Sequence, residues 1–256
     1  MCKTIDFSED KWTTKGVPPR SMTKRSEPVA SEDPLAGSLW SDSRTVAGFT
    51  RSAPNATLMR LADAEWRAGA RIALDIGCGA GRNAVPLARV GWAVLGCDLS
   101  RPMLTAAVAR AIGETPVGHT AFVLAPMDEL PAADGRFDLV IAHGIWNLAT
   151  SAREFRRAVH EAARAAKTAA AVFVFTFSRN TLRADAVPVA GEPFVFTAFS
   201  GRPQCFLTAE QLISELARAG LSLDPRYPLS EHNLPTSGTL TSNQTPVIYE
   251  GVFRRR

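Results

Sequence analysis

The chain has 256 residues, enough for one sizeable domain with a full core, and its 46% hydrophobic and 21% charged residues are ordinary for a globular protein. Of the formal net charge of +4, three positive charges are Arg254, Arg255 and Arg256 at the end of the chain; read as a solvated tail, they leave a nearly neutral body without the basic face of a nucleic-acid binder. Cys2, Cys78, Cys97 and Cys205 are widely spaced with no C-x-x-C pair, which excludes the familiar zinc spacings and a disulfide framework, and no apolar run approaches the ~20 residues that cross a bilayer.

Residues 1–37 mix charges, Ser, Thr and Pro without a hydrophobic period, so they are expected to form a flexible N-terminal extension to a single domain over 38–256. A cover that orders over a ligand is the functional alternative, and Leu39, Trp40 and Phe49 are placed to pack within it. From Asn55 the pattern turns helical, with Leu58, Leu61, Ala62 and Trp66 on one face and Gly69 as the stop. The run 71–75 reads as a buried strand that closes on a glycine cluster. A helix over 83–90, a strand over 93–97, a helix over 102–111 and strands over 121–124 and 137–142 follow. Then come a long Ala/Arg-rich helix over 152–166 and an apolar strand over 170–177. Strands that are apolar on both faces and alternate with helices predict an α/β, Rossmann-like, doubly wound and mostly parallel sheet. A helix over 208–219 with Thr208 as N-cap and closing strands over 221–223 and 247–253 complete the chain. The Pro/Gly-rich stretch 187–203 is long for a connector and is expected to be a substrate cover. Its Phe194, Phe196 and Phe199 suit either an apolar acceptor pocket or an edge hairpin.

The glycine cluster is Asp75-Ile76-Gly77-Cys78-Gly79-Ala80-Gly81. Glycine lets the backbone turn tightly and lets a ligand approach the main chain, and a following helix start offers unpaired N–H groups. A dinucleotide site wants G-x-G-x-x-G, but position 82 is Arg, and a carboxylate at Asp75 would repel a pyrophosphate. S-adenosylmethionine (SAM) carries an ammonium and a sulfonium and no phosphate, so a carboxylate suits it. Asp98 ends the next strand, about 20 residues beyond the glycine turn, where an acid accepts from ribose hydroxyls. Asp128, just past the third strand, is placed to accept from an adenine amino group, with Met127 against the ring. Any one of these acids alone reads equally well as a helix N-cap; three at consecutive strand ends do not.

Leu74 to Asn83, Gly96-Cys97-Asp98-Leu99-Ser100, Met127-Asp128-Glu129-Leu130-Pro131 and Phe137 to Ala142 resemble, in order and spacing, the successive motifs of class I SAM-dependent methyltransferases. The Gly81-Arg82-Asn83 variant is similar to the small-molecule branch that includes tellurite-resistance and thiopurine-methyltransferase-like proteins. The resemblance implies a seven-stranded sheet with the last strand antiparallel and SAM lying across the strand ends. It implies a cofactor set of Asp75, Gly77, Cys78, Gly79, Asn83, Asp98, Leu99, Met127, Asp128, His143 and Gly144, with His143 and Gly144 beneath the methionine portion.

Methyl transfer from a sulfonium needs alignment and exclusion of water, and a base only when the acceptor arrives protonated. The candidate catalytic residues are His143, as base or as structural histidine, Trp146, as cavity wall or packing, and His232. The Asn/Asp-Pro-Pro-Tyr/Phe run of amino-group methylases of DNA and protein is absent after the fourth strand. The reading is therefore a cytoplasmic methyltransferase with a small-molecule substrate and neither a metal nor a nucleic-acid partner. The alternatives are an RNA or protein methyltransferase, an NAD(P)-dependent oxidoreductase and a non-catalytic SAM-binding protein.

Overall fold

The computed structural model describes residues 33–234 and 245–256. Two helices, α1 (Ser43–Arg51) and α2 (Ala56–Arg67), lead into β1 (Ile72–Ile76), α3 (Ala84–Arg89), β2 (Ala93–Asp98), α4 (Arg101–Glu114), β3 (His119–Leu124) and β4 (Phe137–His143). Helix α5 (Ala152–Ala165) precedes the long strand β5 (Ala166–Phe177). The chain continues through β6 (Val195–Phe196), β7 (Gln204–Cys205), α6 (Ala209–Arg218), β8 (Leu221–Leu223), β9 (Ser230–His232) and β10 (Ile248–Arg255).

The main sheet runs β3-β2-β1-β4-β5-β10-β8. The strands from β3 to β5 are parallel, and β10 is antiparallel to β5, as expected for the last strand. The expected count of seven strands is corrected to eight, because β9 pairs with the start of β10 along the edge that β8 follows further on. Two cores flank the sheet. Leu58 and Leu61 of α2 and Leu87 of α3 pack with Leu139 and Phe173 on one face. Phe155 and Val159 of α5 and Leu212 and Leu216 of α6 pack with Leu74, Val140 and Val172 on the other.

Side-chain caps fix where the helices begin. Asn55 accepts from Leu58 N at 2.9 Å to start α2, and Ser100 accepts from Met103 N to start α4. Thr208 and Gln211 form a reciprocal capping box on α6. The stretch 187–203 carries one strand of the β6–β7 hairpin, and its aromatics are spent on packing. Phe194 is buried edge-on against Phe155 at 5.3 Å, while Phe196 and Phe199 join Phe177 and Phe206 in a separate cluster.

The basic end is no solvated tail. Arg254 pairs with Glu65 of α2 and, at 2.8 Å, with the buried Asp224, and Arg255 donates to Ala163 O at 3.0 Å. The last strand is fastened by the charges that the composition alone assigned to solvent. The N-terminal extension falls largely outside the described residues. Of its final residues, Asp33 accepts from Arg101 N at 3.0 Å. No helix among the described residues is long and apolar enough to cross a membrane.

Candidate functional site

Parallel pairing brings the carboxyl ends of β1 to β4 to one edge, and the predicted residues follow those ends directly. Gly77 N and Cys78 N both donate to Cys97 O, at 2.8 and 3.0 Å, so the turn after β1 is stitched to β2. The turn needs left-handed backbone at Gly77, Gly79 and Gly81, with φ of 68°, 52° and 74°. A Cβ on Gly77 would lie 2.7 Å from Ile145, and one on Gly81 would lie 2.9 Å from Val85. Protein packing thus demands glycine at both positions. Gly79 is roomier, since a Cβ there would meet Phe49 of α1 at an ordinary 3.5 Å.

Asp98 holds this loop in shape. Its Oδ2 accepts from Gly79 N and its Oδ1 from Ser100 N, both at 2.8 Å. Burial raises its carboxyl above the usual range against the lowering effect of these N–H groups. Ser100 Oγ in turn donates to Trp40 O at 2.9 Å, and Asp33 accepts from Ser41 Oγ at 2.5 Å. Trp40 and Phe49 meet edge to face at 5.9 Å, so this pair does lie over the strand ends. Leu39 remains 66% exposed.

Asp75 is 1% exposed. It accepts from the N–H of Ala84 at the start of α3, while its Oδ2 has no partner among the described residues. Burial, and then the neighbouring Asp98, push its carboxyl up to about 7, with Arg82 as a weak counterweight. Arg82 itself donates to Ala53 O at 2.6 Å. Asn83 is buried and accepts from Asn55 N at 3.1 Å. Cys78, Cys97 and Cys205 are free buried thiols, and burial raises the Cys78 thiol well above its ordinary value.

Further along the edge, Leu99 is half-buried after β2, and Met127 is 9% exposed. Asp128 forms an ion pair with Arg157 of α5 at 2.6 Å, so one of its oxygens is engaged. His143 ends β4, stacked on Phe175 at 4.2 Å with Nε2 unpartnered among the described residues. Burial, and then Arg82, push its imidazole down to about 4, so it is neutral near pH 7. Gly144 (φ 72°) donates to Phe175 O at 2.7 Å.

Trp146, three residues past the end of β4, is fully buried edge-on against Phe155 in the core, with its indole Nε1 unpartnered among the described residues. His232 sits on β9, its Nε2 3.7 Å from Glu250 Oε1. Asn55, Arg82, Arg157 and Glu250 join these groups without having stood out as site residues in the sequence. Glu250 had a visible signal, a lone charge inside the apolar run Val247 to Phe253. Among the described residues, no cluster of His, Cys, Asp and Glu could hold a metal ion. A surface cleft of about 320 Å3 bounded by Asp134, His160, Arg164 and Arg255 lies at the opposite edge of the sheet and contains none of the strand-end groups.

A glycine turn between strand and helix, with acids on three neighbouring strand ends, defines an α/β domain built for a nucleotide-like ligand. Residues 73–169 match the family described as a methyltransferase domain. A relative bearing a methyltransferase name, YqeM of Bacillus subtilis (strain 168), is 37% identical over 68 residues; the match spans 27% of this chain and 26% of that protein. Among solved structures, a SAM-dependent methyltransferase from Methanosarcina mazei superposes with TM-score 0.58 at 20% identity, over 72% of this chain and 92% of its own. The 1,6-didemethyltoxoflavin-N1-methyltransferase of Burkholderia thailandensis, with 1,6-didemethyltoxoflavin and S-adenosylhomocysteine bound, gives 0.53 at 18% identity, over 77% and 78%. At these identities the structural likeness is one of fold. The segment 73–169 is thus similar to a methyltransferase domain, and the chain shares the Rossmann-like fold of these solved methyltransferases.

Proposed function

We propose that this protein is a SAM-dependent methyltransferase acting on a small-molecule acceptor. The observation that carries the reading is Asp75. It is a fully buried carboxylate at the glycine turn, with one oxygen unpartnered and an elevated pKa, and a ligand's cation would relieve both conditions. Asp75 would face the cofactor's ammonium, with Gly77, Cys78, Gly79 and Asn83 alongside. Asp98 and Leu99 would hold the ribose. The Asp98 carboxylate has about four acceptor sites, and the N–H groups of Gly79, Ser100 and Leu99 leave room for about one ribose hydroxyl. Met127 would pack on the adenine, Asp128 would offer it the oxygen not held by Arg157, and His143 with Gly144 would lie beneath the methionine portion.

Bound there, SAM supplies a methyl group on a positively charged sulfur. The protein's own task is to bind, orient and exclude water. Trp40 and Phe49 serve the last of these by covering the rim. The toxoflavin methyltransferase among the fold neighbours supports a small acceptor, as does the resemblance of the Gly81-Arg82-Asn83 segment to the small-molecule branch. Arg254 and Arg255 are engaged inside the fold, which takes the terminal basic run away from any nucleic acid.

Asp98→Ala tests the reading. Loss of charge-assisted hydrogen bonds is expected to cost about 1.5–3 kcal/mol of SAM affinity, roughly 10- to 150-fold in Kd. Isothermal calorimetry with SAM, S-adenosylhomocysteine and NAD measures it. Unchanged SAM affinity in the variant removes the ribose assignment, and NAD binding in place of SAM removes the methyltransferase reading.

A further inference from the structure

The carboxyl edge of β4, β5, β10 and β9 carries a row of side chains that the cofactor does not account for. His143 pairs in register with Phe175, Phe175 with Glu250 and Glu250 with Ser230, so these positions share one face of the sheet. His232, two residues beyond Ser230, shares that face as well. Glu250 is 9% exposed, and its carboxylate is anchored through one oxygen. Oε2 accepts from Asn55 Nδ2 at 2.8 Å, and Asn55 is itself pinned through its cap on α2 and its N–H bond to Asn83. Oε1 faces His232 Nε2 at 3.7 Å. The His232 side chain is 48% exposed, open to an incoming molecule.

At 3.7 Å the Glu250 carboxylate is an ion-pair neighbour just outside hydrogen-bond reach; closing by about half an ångström, it would hold a proton on Nε2, leave Nδ1 as the base and stabilise the imidazolium once a proton arrives. We propose that His232, oriented by Glu250, is the general base for an acceptor that arrives as a neutral O–H or N–H nucleophile. His232 is then a catalytic residue and Glu250 a positioning residue. The inference rests on the methyltransferase reading. In the step, the acceptor's X–H bond breaks and its proton passes to His232. The electron pair left on X forms the bond to the methyl carbon as the carbon–sulfur pair departs to sulfur, and the proton then leaves to solvent.

His143, the other histidine of this row, is buried and stacked on Phe175, and with its imidazole pushed down to about 4 it is a poor proton acceptor at neutral pH. The remaining charged neighbours are Arg82 beyond His143 and Glu231 on β9. Glu231 occupies the opposite face, where it accepts from Ser178 Oγ and, at 2.9 Å, from Asn180.

Two measurements on the full chain decide the matter. In 15N NMR of the histidine side chains, assigned with His232→Gln, neutral His232 should carry its proton on Nε2; Glu250→Gln should weaken that tautomer preference and Glu250→Asp should restore it at least partly. With labelled SAM and a panel of phenols, catechols, anilines and thiophenols, His232→Gln should lower kcat by roughly 10²- to 10³-fold for the best O–H or N–H acceptor. It should leave KM for SAM and any transfer to pre-ionised thiophenols within about twofold, and Glu250→Gln should lower kcat for the same acceptor by a smaller factor than His232→Gln. An unchanged His232 tautomer balance in Glu250→Gln overturns the proposal. So does a His232→Gln enzyme that methylates phenols or amines at the wild-type rate, or a panel in which only thiols react. S-adenosylhomocysteine binding by calorimetry reports separately on the methyltransferase reading, because neither side chain belongs to the cofactor set.

Discussion

Replacing Arg254 by Met is expected to lower the unfolding free energy by about 3–5 kcal/mol at pH 7, the cost typical of breaking a buried ion pair from one side. Arg254 is 19% exposed on its side chain and serves three segments at once. It pairs with Glu65 at the end of α2, donates to Asp224 Oδ2 at 2.8 Å, and reaches Ala169 O at 3.1 Å. Asp224 is 2% exposed and keeps only Arg226, itself 67% exposed, when Arg254 is gone. Two carboxylates are then left close together with little compensation. Arg226 and Arg254 hold the Asp224 carboxyl well below the usual carboxylate range. A lowered folded-state pKa gives stability that is present above about pH 4 and lost as the pH falls further. The deficit in Arg254→Met should therefore be large at pH 7 and shrink as the pH falls below about 4, where the stability that Arg254 lends to the Asp224 carboxylate is progressively lost. Urea unfolding across that range measures it, and adding Glu65→Gln and Asp224→Asn should recover part of the loss. A deficit under about 0.5 kcal/mol at pH 7 would return Arg254 to the status of a surface charge.

The same residue shows what the sequence could and could not reveal. A run of three arginines reads as a solvated end because charge runs usually are, and nothing local announces Glu65 or Asp224, 189 and 30 positions away. The parallel strands were legible for the opposite reason. Ile72–Ile76, Ala93–Asp98 and Phe137–His143 are apolar runs closed by Gly or Asp, so the period and the stop signals agree. Strand β9 was illegible because Ser230, Glu231 and His232 are polar and lie on an edge, where no hydrophobic alternation is required. Helix α1 hid because none of its residues is buried; Asp42 caps it through Arg44 N and Thr45 N, and it rests on α4. In the site, the acids at Asp75, Asp98 and Asp128 were visible from their spacing. The contacts that set their chemistry were not. Ile145 against Gly77, Arg157 on Asp128 and Asn55 on Glu250 all join residues that are far apart in the chain.

Asp75→Asn should separate the cost of that carboxylate from its use. The folded protein holds the Asp75 carboxyl up to about 7 against an ordinary value of 3.8, so the folded state binds its proton more tightly than the unfolded chain does. Stability from this group is complete below about pH 4 and is lost as the pH rises to 7, amounting to about 4 kcal/mol for a shift of this size. His143 works in the opposite sense. Its pKa is lowered from 6.5 to about 4, so its contribution is present above 6.5 and lost as the pH falls. Below pH 6.5 the two offset one another in the wild type, and the observable is the difference between wild type and variant. Asparagine keeps an oxygen for the Ala84 N–H and removes the charge, although its amide N–H2 inherits the unpartnered position. The variant should be less stable than wild type, or equal to it, at pH 4 and more stable at pH 8, with the difference moving by about 4 kcal/mol between them. Binding should change in the reverse direction. If the cofactor's ammonium meets Asp75, wild-type SAM affinity rises between pH 5 and 7 by up to tenfold per unit as the carboxyl gives up its proton. The Asn variant should bind more weakly at pH 8 and lose that slope. Parallel pH profiles of SAM affinity in the two proteins would show instead that Asp75 is a buried acid the fold tolerates for some purpose other than the cofactor.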